Sequence, residues 1–169
     1  MKKGKTLMDY DEKLSEDAEL LSRYLYQYKD CIGKKHALEH RMEQIKYELK
    51  HPVSAIRYDK DKAKPSEPNE GSVAIVYRLD EIHIRINQQI GKAEKILVEI
   101  MNIIDFLPEN SFERTIIENK YIDRMNWEKI CNENHSSKSR TSRYWKKGLY
   151  KLLEYEKVRK TLDEYKKSM

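Results

Sequence analysis

The stretch SVAIVYRLDEIHIRINQQIGKAEKILVEIMNIIDFL, residues 72–107, decides the fold. Its apolar residues recur in steps of three and four, at Val76, Leu79, Ile82, Ile86, Ile90, Ala93, Leu97, Ile100, Ile104 and Leu107. Such steps place side chains on one face of an α-helix, and a repeat near 3.5 residues is typical of a coiled-coil seam. At 1.5 Å per residue the helix would be about 50 Å long. Because one helix cannot bury this stripe alone, the pattern predicts packing against another helix, a second copy, or both.

The chain before this stretch supplies a partner helix over residues 11–50. Its apolar residues also recur at helical spacing, at Leu14, Leu21, Leu25, Tyr28, Ile32, Leu38, Met42, Ile45 and Leu49. Gly33 is a position where this helix could kink or divide. Three prolines and a glycine then crowd into residues 51–72, which predicts a loop. We therefore predict an all-α protein in which residues 1–107 form a long, coiled-coil-like helical hairpin that serves as a scaffold or dimerisation element.

The chain after Leu107 is divided into short helices. Pro108 ends the long helix, and Asn110 or Ser111 can cap the next one, with Glu113 in the position of a capping box. Asn126 can cap a second helix through about residue 134. Ser136 or Ser137 can cap a third, which is expected to run past residue 153, as far as 165. Residues 108–169 are therefore predicted to form a helix-turn-helix domain that binds DNA.

Positive charge is concentrated in this C-terminal part. The chain has a net charge of +5, and residues 111–169 contain 15 Lys and Arg against 9 Asp and Glu. No acidic residue lies between Glu133 and Glu154. Arginine can bind guanine edges, lysine neutralises phosphates, and hydroxyls donate to either. The candidate DNA-binding residues are Lys138, Ser139, Arg140, Ser142, Arg143, Lys146 and Lys147. The earlier residues are expected to read bases, and Lys146, Lys147 and Lys151 to meet the backbone; the competing interpretation is a solvated charged face.

The segments KYIDRMNWEKIC (120–131) and SKSRTSRYWKKGL (137–149) resemble phage transcriptional regulators of the ArpU/RinA type. The C-terminal part of these regulators is similar to region four of bacterial sigma factors. The matching features are Tyr121, Trp127 with the residues after it, and the Ser-Lys-Ser start of the third helix. The resemblance implies activation of phage or prophage late genes, with RNA polymerase as a plausible partner. Asn134, Thr141 and Gly148 depart from the family pattern, and we expect them to weaken the core of the small domain.

Other classes of function have less support. A phage small terminase subunit, which recognises packaging DNA, also joins a helix-turn-helix to an oligomerising hairpin. A purely structural coiled-coil protein with an incidental basic tail is the third alternative. No nucleophile–base pair, glycine-rich phosphate loop or paired carboxylates stand out, so we expect no enzyme activity and no cofactor.

The sequence also bears on metals and location. His36 with His40 and Cys131 with His135 have a spacing that can chelate zinc, but neither pair has an obvious third ligand, so no metal site is predicted. The chain has two cysteines without CxxC spacing, no apolar run near 20 residues and no secretory signal. We therefore expect a protein of the bacterial cytoplasm that does not bind membranes and that could be a homodimer through its long helices.

Overall fold

The computed structural model describes residues 13–51 and 70–169, and these residues form helices with no strand among them. The helices are α1 (Glu16–Lys50), α2 (Glu70–Ile104), α3 (Phe112–Tyr121), α4 (Trp127–Glu133), α5 (Lys138–Leu153) and α6 (Glu156–Ser168). The prediction of an all-α protein is confirmed. Most of the loop predicted near 51–72 lies outside the described residues, whereas residues 70–72 already belong to α2.

Two details of the helices differ from the prediction. Gly33 does not divide α1, which continues to Lys50. The helix expected to run past residue 153 ends at Leu153, and a separate helix starts at Glu156. Between them the backbone tightens into bonds of the i to i−3 type, from Glu154 N to Lys151 O and from Tyr155 N to Leu152 O, each 3.2 Å long. After the break, Val158 and Leu162 of α6 are part of the core.

The described chain divides into two compact units. One consists of residues 13–30 and 94–169, and the other of residues 31–51 and 70–93. The division falls within the long helices, and the domain boundary predicted between residues 107 and 108 stays a prediction.

The unit of residues 13–30 and 94–169 has a continuous apolar core. Its buried members come from five helices and from the turn after α2, which contributes Leu107: Leu21, Tyr24, Leu25, Ile100, Ile103, Ile104, Leu107, Ile117, Tyr121, Leu149, Leu152, Val158 and Leu162. Arg114 fixes the corner between α2 and α3, where it donates hydrogen bonds of 2.7 Å to both Asp105 and Glu118. Within this unit α5 packs against α3, α4 and α6, so its inner face is held on three sides.

The unit of residues 31–51 and 70–93 buries far less apolar surface. Its described buried hydrophobic residues are Cys31, Ile86 and Ala93, while the apolar side chains that stay exposed are Tyr47, Val73, Val76, Tyr77 and Ile84. Across the described helices, none is both long and apolar enough to cross a membrane.

Candidate nucleic-acid interface

Three side-chain caps define where the helices around the candidate surface begin. Ser111 Oγ accepts from Arg114 N at 3.3 Å, Asn126 Oδ1 from Lys129 N at 2.8 Å, and Ser137 Oγ from Arg140 N at 3.3 Å. Each bond satisfies an amide that has no partner within its own helix. The cap predicted at Asn126 is confirmed, and of the two candidates for α5 Ser137 rather than Ser136 is the cap. Ser111 rather than Asn110 caps α3, so Arg114 and not Glu113 stands three residues after the cap, and the capping box predicted with Glu113 is wrong.

The turn between α4 and α5 spans residues 134–136. Asn134 Nδ2 donates to Ile130 O at 2.8 Å, so its side chain satisfies a carbonyl near the end of α4. His135 follows with φ 47°, a left-handed conformation, and Ser136 N then donates to Cys131 O at 3.0 Å. Asn134 thus has a polar role in closing the turn where the resembling family has an apolar residue.

Thr141 and Gly148 both lie on the inner face of α5. Thr141 is fully buried, and its Oγ1 lies 3.6 Å from Cys131 Sγ of α4, which donates to it. At Gly148 an added Cβ would lie 2.6 Å from Ile117 Cδ1 and 3.3 Å from Glu113 Cβ. Glycine therefore allows α3 to approach α5 closely. Both positions are part of tight contacts, and the expectation that they weaken the core stays a prediction.

Most of the predicted DNA-binding residues lie on the opposite face of α5. Because successive residues are about 100° apart on a helix, Ser139, Arg143 and Lys146 lie away from the buried Thr141 and Leu149. Arg140 and Lys147 lie on the same outer side, Ser142 lies at its edge, and Lys138 is in the first turn. Lys138, Ser139 and Arg140 are exposed, whereas Ser142, Arg143, Lys146 and Lys147 are partly buried. The structure therefore places five of the seven predicted residues on the outer side of α5, with Lys138 and Ser142 closer to its buried side.

A carboxylate on α3, that of Glu113, forms ion pairs with two lysines in the C-terminal part of α5. Glu113 Oε1 lies 2.8 Å from Lys147 Nζ and 2.9 Å from Lys151 Nζ. Burial raises the pKa of the Glu113 carboxyl, but hydrogen bonds from both lysines outweigh that effect and hold its pKa at about 2. The sequence pattern did not identify Glu113 as a partner of α5. Its contact with Lys147 lies 34 positions away along the chain, and no local spacing signals it.

Two aromatic rings lie beside Arg140 near the N-terminal end of α5. The Arg140 guanidinium carbon lies 5.8 Å from the ring centroid of Phe112 and 5.7 Å from that of Tyr144. These two rings meet edge to face, with centroids 4.9 Å apart. Contacts of this kind attract a cation and restrict its side chain. Sequence reasoning missed Phe112 and Tyr144 as groups that orient Arg140.

The opposite end of α3 holds a second buried charge. Lys120 Nζ lies 4.1 Å from the ring centroid of Trp127, 5.4 Å from that of Tyr26 and 5.8 Å from that of Trp145. We call Lys120 and these three rings the aromatic cage. Burial, and to a smaller extent the charge of Lys29, lowers the pKa of the Lys120 amine to about 8. Among the described residues, no acceptor forms a hydrogen bond with this amine.

The cage also ties α5 to α1. Trp145 Nε1 donates to the hydroxyl of Tyr121 at 3.0 Å, and that hydroxyl lies 2.8 Å from Ser22 Oγ. Tyr121 is fully buried. Trp145 therefore has packing partners and a hydrogen bond inside the protein, so its place is in the scaffold that holds α5.

Neither a metal cluster nor a matching relative accompanies this surface. In the described part of the chain, no group of three or more His, Cys, Asp and Glu side chains is arranged to hold a metal ion. A comparison of the sequence and structure with protein-family models, curated proteins and solved structures finds no match.

Proposed function

We propose that the protein is a sequence-specific double-stranded DNA-binding regulator in which α4, the turn at 134–136 and α5 form a helix-turn-helix. A single observation carries the proposal. The outer side of α5 presents cations and hydroxyls with no acidic residue on the helix, while its inner side is packed against α3 and α4. A helix that is fixed on one side and basic on the other can enter the major groove and neutralise phosphates.

Position along α5 divides the proposed roles. Residues near the start of a recognition helix usually contact base edges. Arg140 and Arg143 are therefore the proposed base readers, and Arg140 is already restrained by Phe112 and Tyr144. Lys138, Ser139, Ser142 and Lys146 are proposed to bind phosphates or bases beside them.

The long helices are proposed to form a hairpin that supports this domain. Tyr24 of α1 donates a hydrogen bond of 3.0 Å to Glu99 of α2, so the two helices contact each other at this level. A homodimer through the long helices would place two copies of α5 on one site and so extend the sequence that is read. The more specific proposal is activation of phage late genes with RNA polymerase as a partner, and it rests on the resemblance to ArpU/RinA-type regulators.

The first experiment is a binding selection with the full chain on sheared host and phage DNA at physiological salt. Enrichment of a promoter-proximal site is the expected result. Enrichment of a packaging site, together with ring-sized oligomers, would replace the proposal with a small terminase subunit. No enrichment at all would contradict sequence-specific binding and favour a structural protein.

The second experiment uses the selected site to identify the base readers. Arg140→Ala and Arg143→Ala are each expected to weaken specific binding roughly tenfold to a hundredfold, with a smaller effect on non-specific DNA. Arg159→Ala is the matched control, because Arg159 is an exposed arginine on α6. Equal losses on all DNA sequences would show that these arginines contact only the backbone.

A further inference from the structure

The cations at the two ends of α5 differ in what they contact within the protein. Lys138 and Arg140 lie at the exposed start of the helix, whereas Lys147 and Lys151 both donate to the same oxygen of Glu113. We infer that Glu113 is a built-in anionic competitor that withholds Lys147 and Lys151 from phosphate, so that polyanions bind the remaining cations of α5. The inference rests on the proposed function, because it concerns the same face of α5.

Burial fixes the carboxylate in place. The Glu113 side chain is 6% exposed, compared with 25% for Lys147 and 35% for Lys151. Its Cβ lies against Gly148 of α5, and it occupies the first turn of α3 just after the cap at Ser111. The carboxylate therefore cannot follow either lysine towards solvent. A lysine that reaches a phosphate has to leave behind a buried anion with one partner fewer.

The magnitudes favour Glu113 over a phosphate. One lysine–phosphate contact changes the logarithm of affinity by ~0.9 per logarithm of salt, which is about fivefold in affinity at about 0.15 M salt. A hydrogen bond between charged groups shifts an equilibrium by roughly tenfold to a hundredfold, and more when its loss leaves a buried charge. Lys147 and Lys151 therefore remain with Glu113 when DNA binds. This differs from the sequence-based expectation that Lys147 and Lys151 meet the backbone.

The test is Glu113→Gln in the full chain, with heparin retention and DNA binding measured over a salt series. Glutamine keeps the shape and an acceptor oxygen but removes the charge that holds the lysines. The salt dependence is expected to steepen by about one to two units, and binding at about 0.15 M salt to tighten about fivefold to thirtyfold. The increase applies to specific DNA, non-specific DNA and heparin alike. An unchanged slope, or weaker binding by a folded variant, would overturn the inference.

Glu118→Gln is the matched control. It removes the same charge from the same helix, but Glu118 pairs with Arg114 at 2.7 Å rather than with a cation of α5. Its salt dependence is expected to stay within about half a unit of the wild type, since no phosphate contact is gained. An equal increase in both variants would show that net charge alone is responsible, and that result also overturns the inference.

Single lysine variants keep the inference falsifiable if Glu113→Gln does not fold. Lys147→Gln and Lys151→Gln are each expected to leave the salt dependence unchanged, whereas Lys138→Gln, at the exposed start of α5, is expected to flatten it by about one unit. A loss of one unit in Lys147→Gln would overturn the inference. A wild-type protein that binds heparin but selects no DNA site contradicts the proposed function alone, because the heparin series still measures the effect of Glu113. A wild-type protein that does not bind heparin contradicts both.

Discussion

Each end of α3 buries one charged residue, and the two charges differ in the partners that surround them. At the first end the Glu113 carboxylate has Lys147 and Lys151 within 3 Å of one oxygen. At the other end the Lys120 amine lies among aromatic rings and, within the described chain, has no hydrogen-bond acceptor. The exposed fraction of the whole residue is nearly the same, at 5% for Glu113 and 7% for Lys120. Burial alone therefore does not decide whether a charge is favoured; the partners do.

The pKa values express this difference. The pKa of Glu113 falls to about 2, so the native state favours its charged form, whereas the pKa of Lys120 falls to about 8, so the native state disfavours its charged form. Attraction to the rings does not fully replace the hydration that the ammonium loses. Both ends nevertheless fix α5, the first by ion pairs and the second by the contacts of Trp145. This comparison predicts opposite responses of stability to pH.

The largest expected effect is the loss of Glu113 stabilisation in acid. Because the folded pKa of about 2 lies below the unfolded value of 4.5, the contribution is complete above pH 4.5 and is lost as pH falls towards 2. Chemical denaturation should show that the free energy of unfolding of the wild type falls by about 2 kcal/mol more than that of Glu113→Gln between neutral pH and pH 3. Glu118→Gln serves as the control and should retain the wild-type acid loss. Parallel curves for the wild type and Glu113→Gln would mean that Glu113 is not stabilised by the lysines.

The Lys120 end should respond in alkali, with the opposite sign. Its folded pKa of about 8 lies below the unfolded value of 10.5, so the native state binds this proton less tightly and stability rises as pH passes 8. Between pH 7.5 and 9 the wild type should gain about 1 kcal/mol relative to Lys120→Met, which has no such proton. Lys129→Met, at a 58% exposed lysine side chain on α4, is the matched control and should show no relative gain. A gain equal to that of the control would show that the cage satisfies the ammonium fully.

The sequence predicted what depends on neighbours along the chain. The helical period over residues 72–107, the cap at Asn126, the cap candidates Ser136 and Ser137, and the absence of acidic residues from α5 are all local, because helix geometry converts spacing directly into position. The pairings of Glu113 and Lys120 are not local. Lys151 is 38 positions from Glu113, and the hydroxyl of Tyr121 bonds Ser22 across 99 positions. Such contacts depend on how the helices pack. The sequence alone does not show whether the partner of a cation is a phosphate, a carboxylate or an aromatic ring.

The end of α5 was missed for a related reason. Residues 153–156 contain neither proline nor glycine, so no local signal predicted a break. The break coincides with tertiary packing, since Val158 and Leu162, which follow it, are both part of the core. Local propensity would continue the helix, and burial of these two side chains outweighs it.

Gly148→Ala gives the smallest expected change in the pH dependence of stability, and it tests whether the two ends of α3 are independent. Alanine improves helix propensity by up to about 1 kcal/mol, whereas overpacking costs about 1–3 kcal/mol. The added Cβ would lie 2.6 Å from Ile117 Cδ1 and 3.3 Å from Glu113 Cβ, and Ile117 is fully buried, so the packing term should exceed the propensity term. We expect a net loss of about 0–2 kcal/mol at neutral pH. Because the strain lies at the Glu113 end, the free energy of unfolding should fall less in acid than it does in the wild type. Its rise above pH 8 should equal that of the wild type. A change in the alkaline response instead would mean that α3 shifts as a whole and that its two ends are not independent.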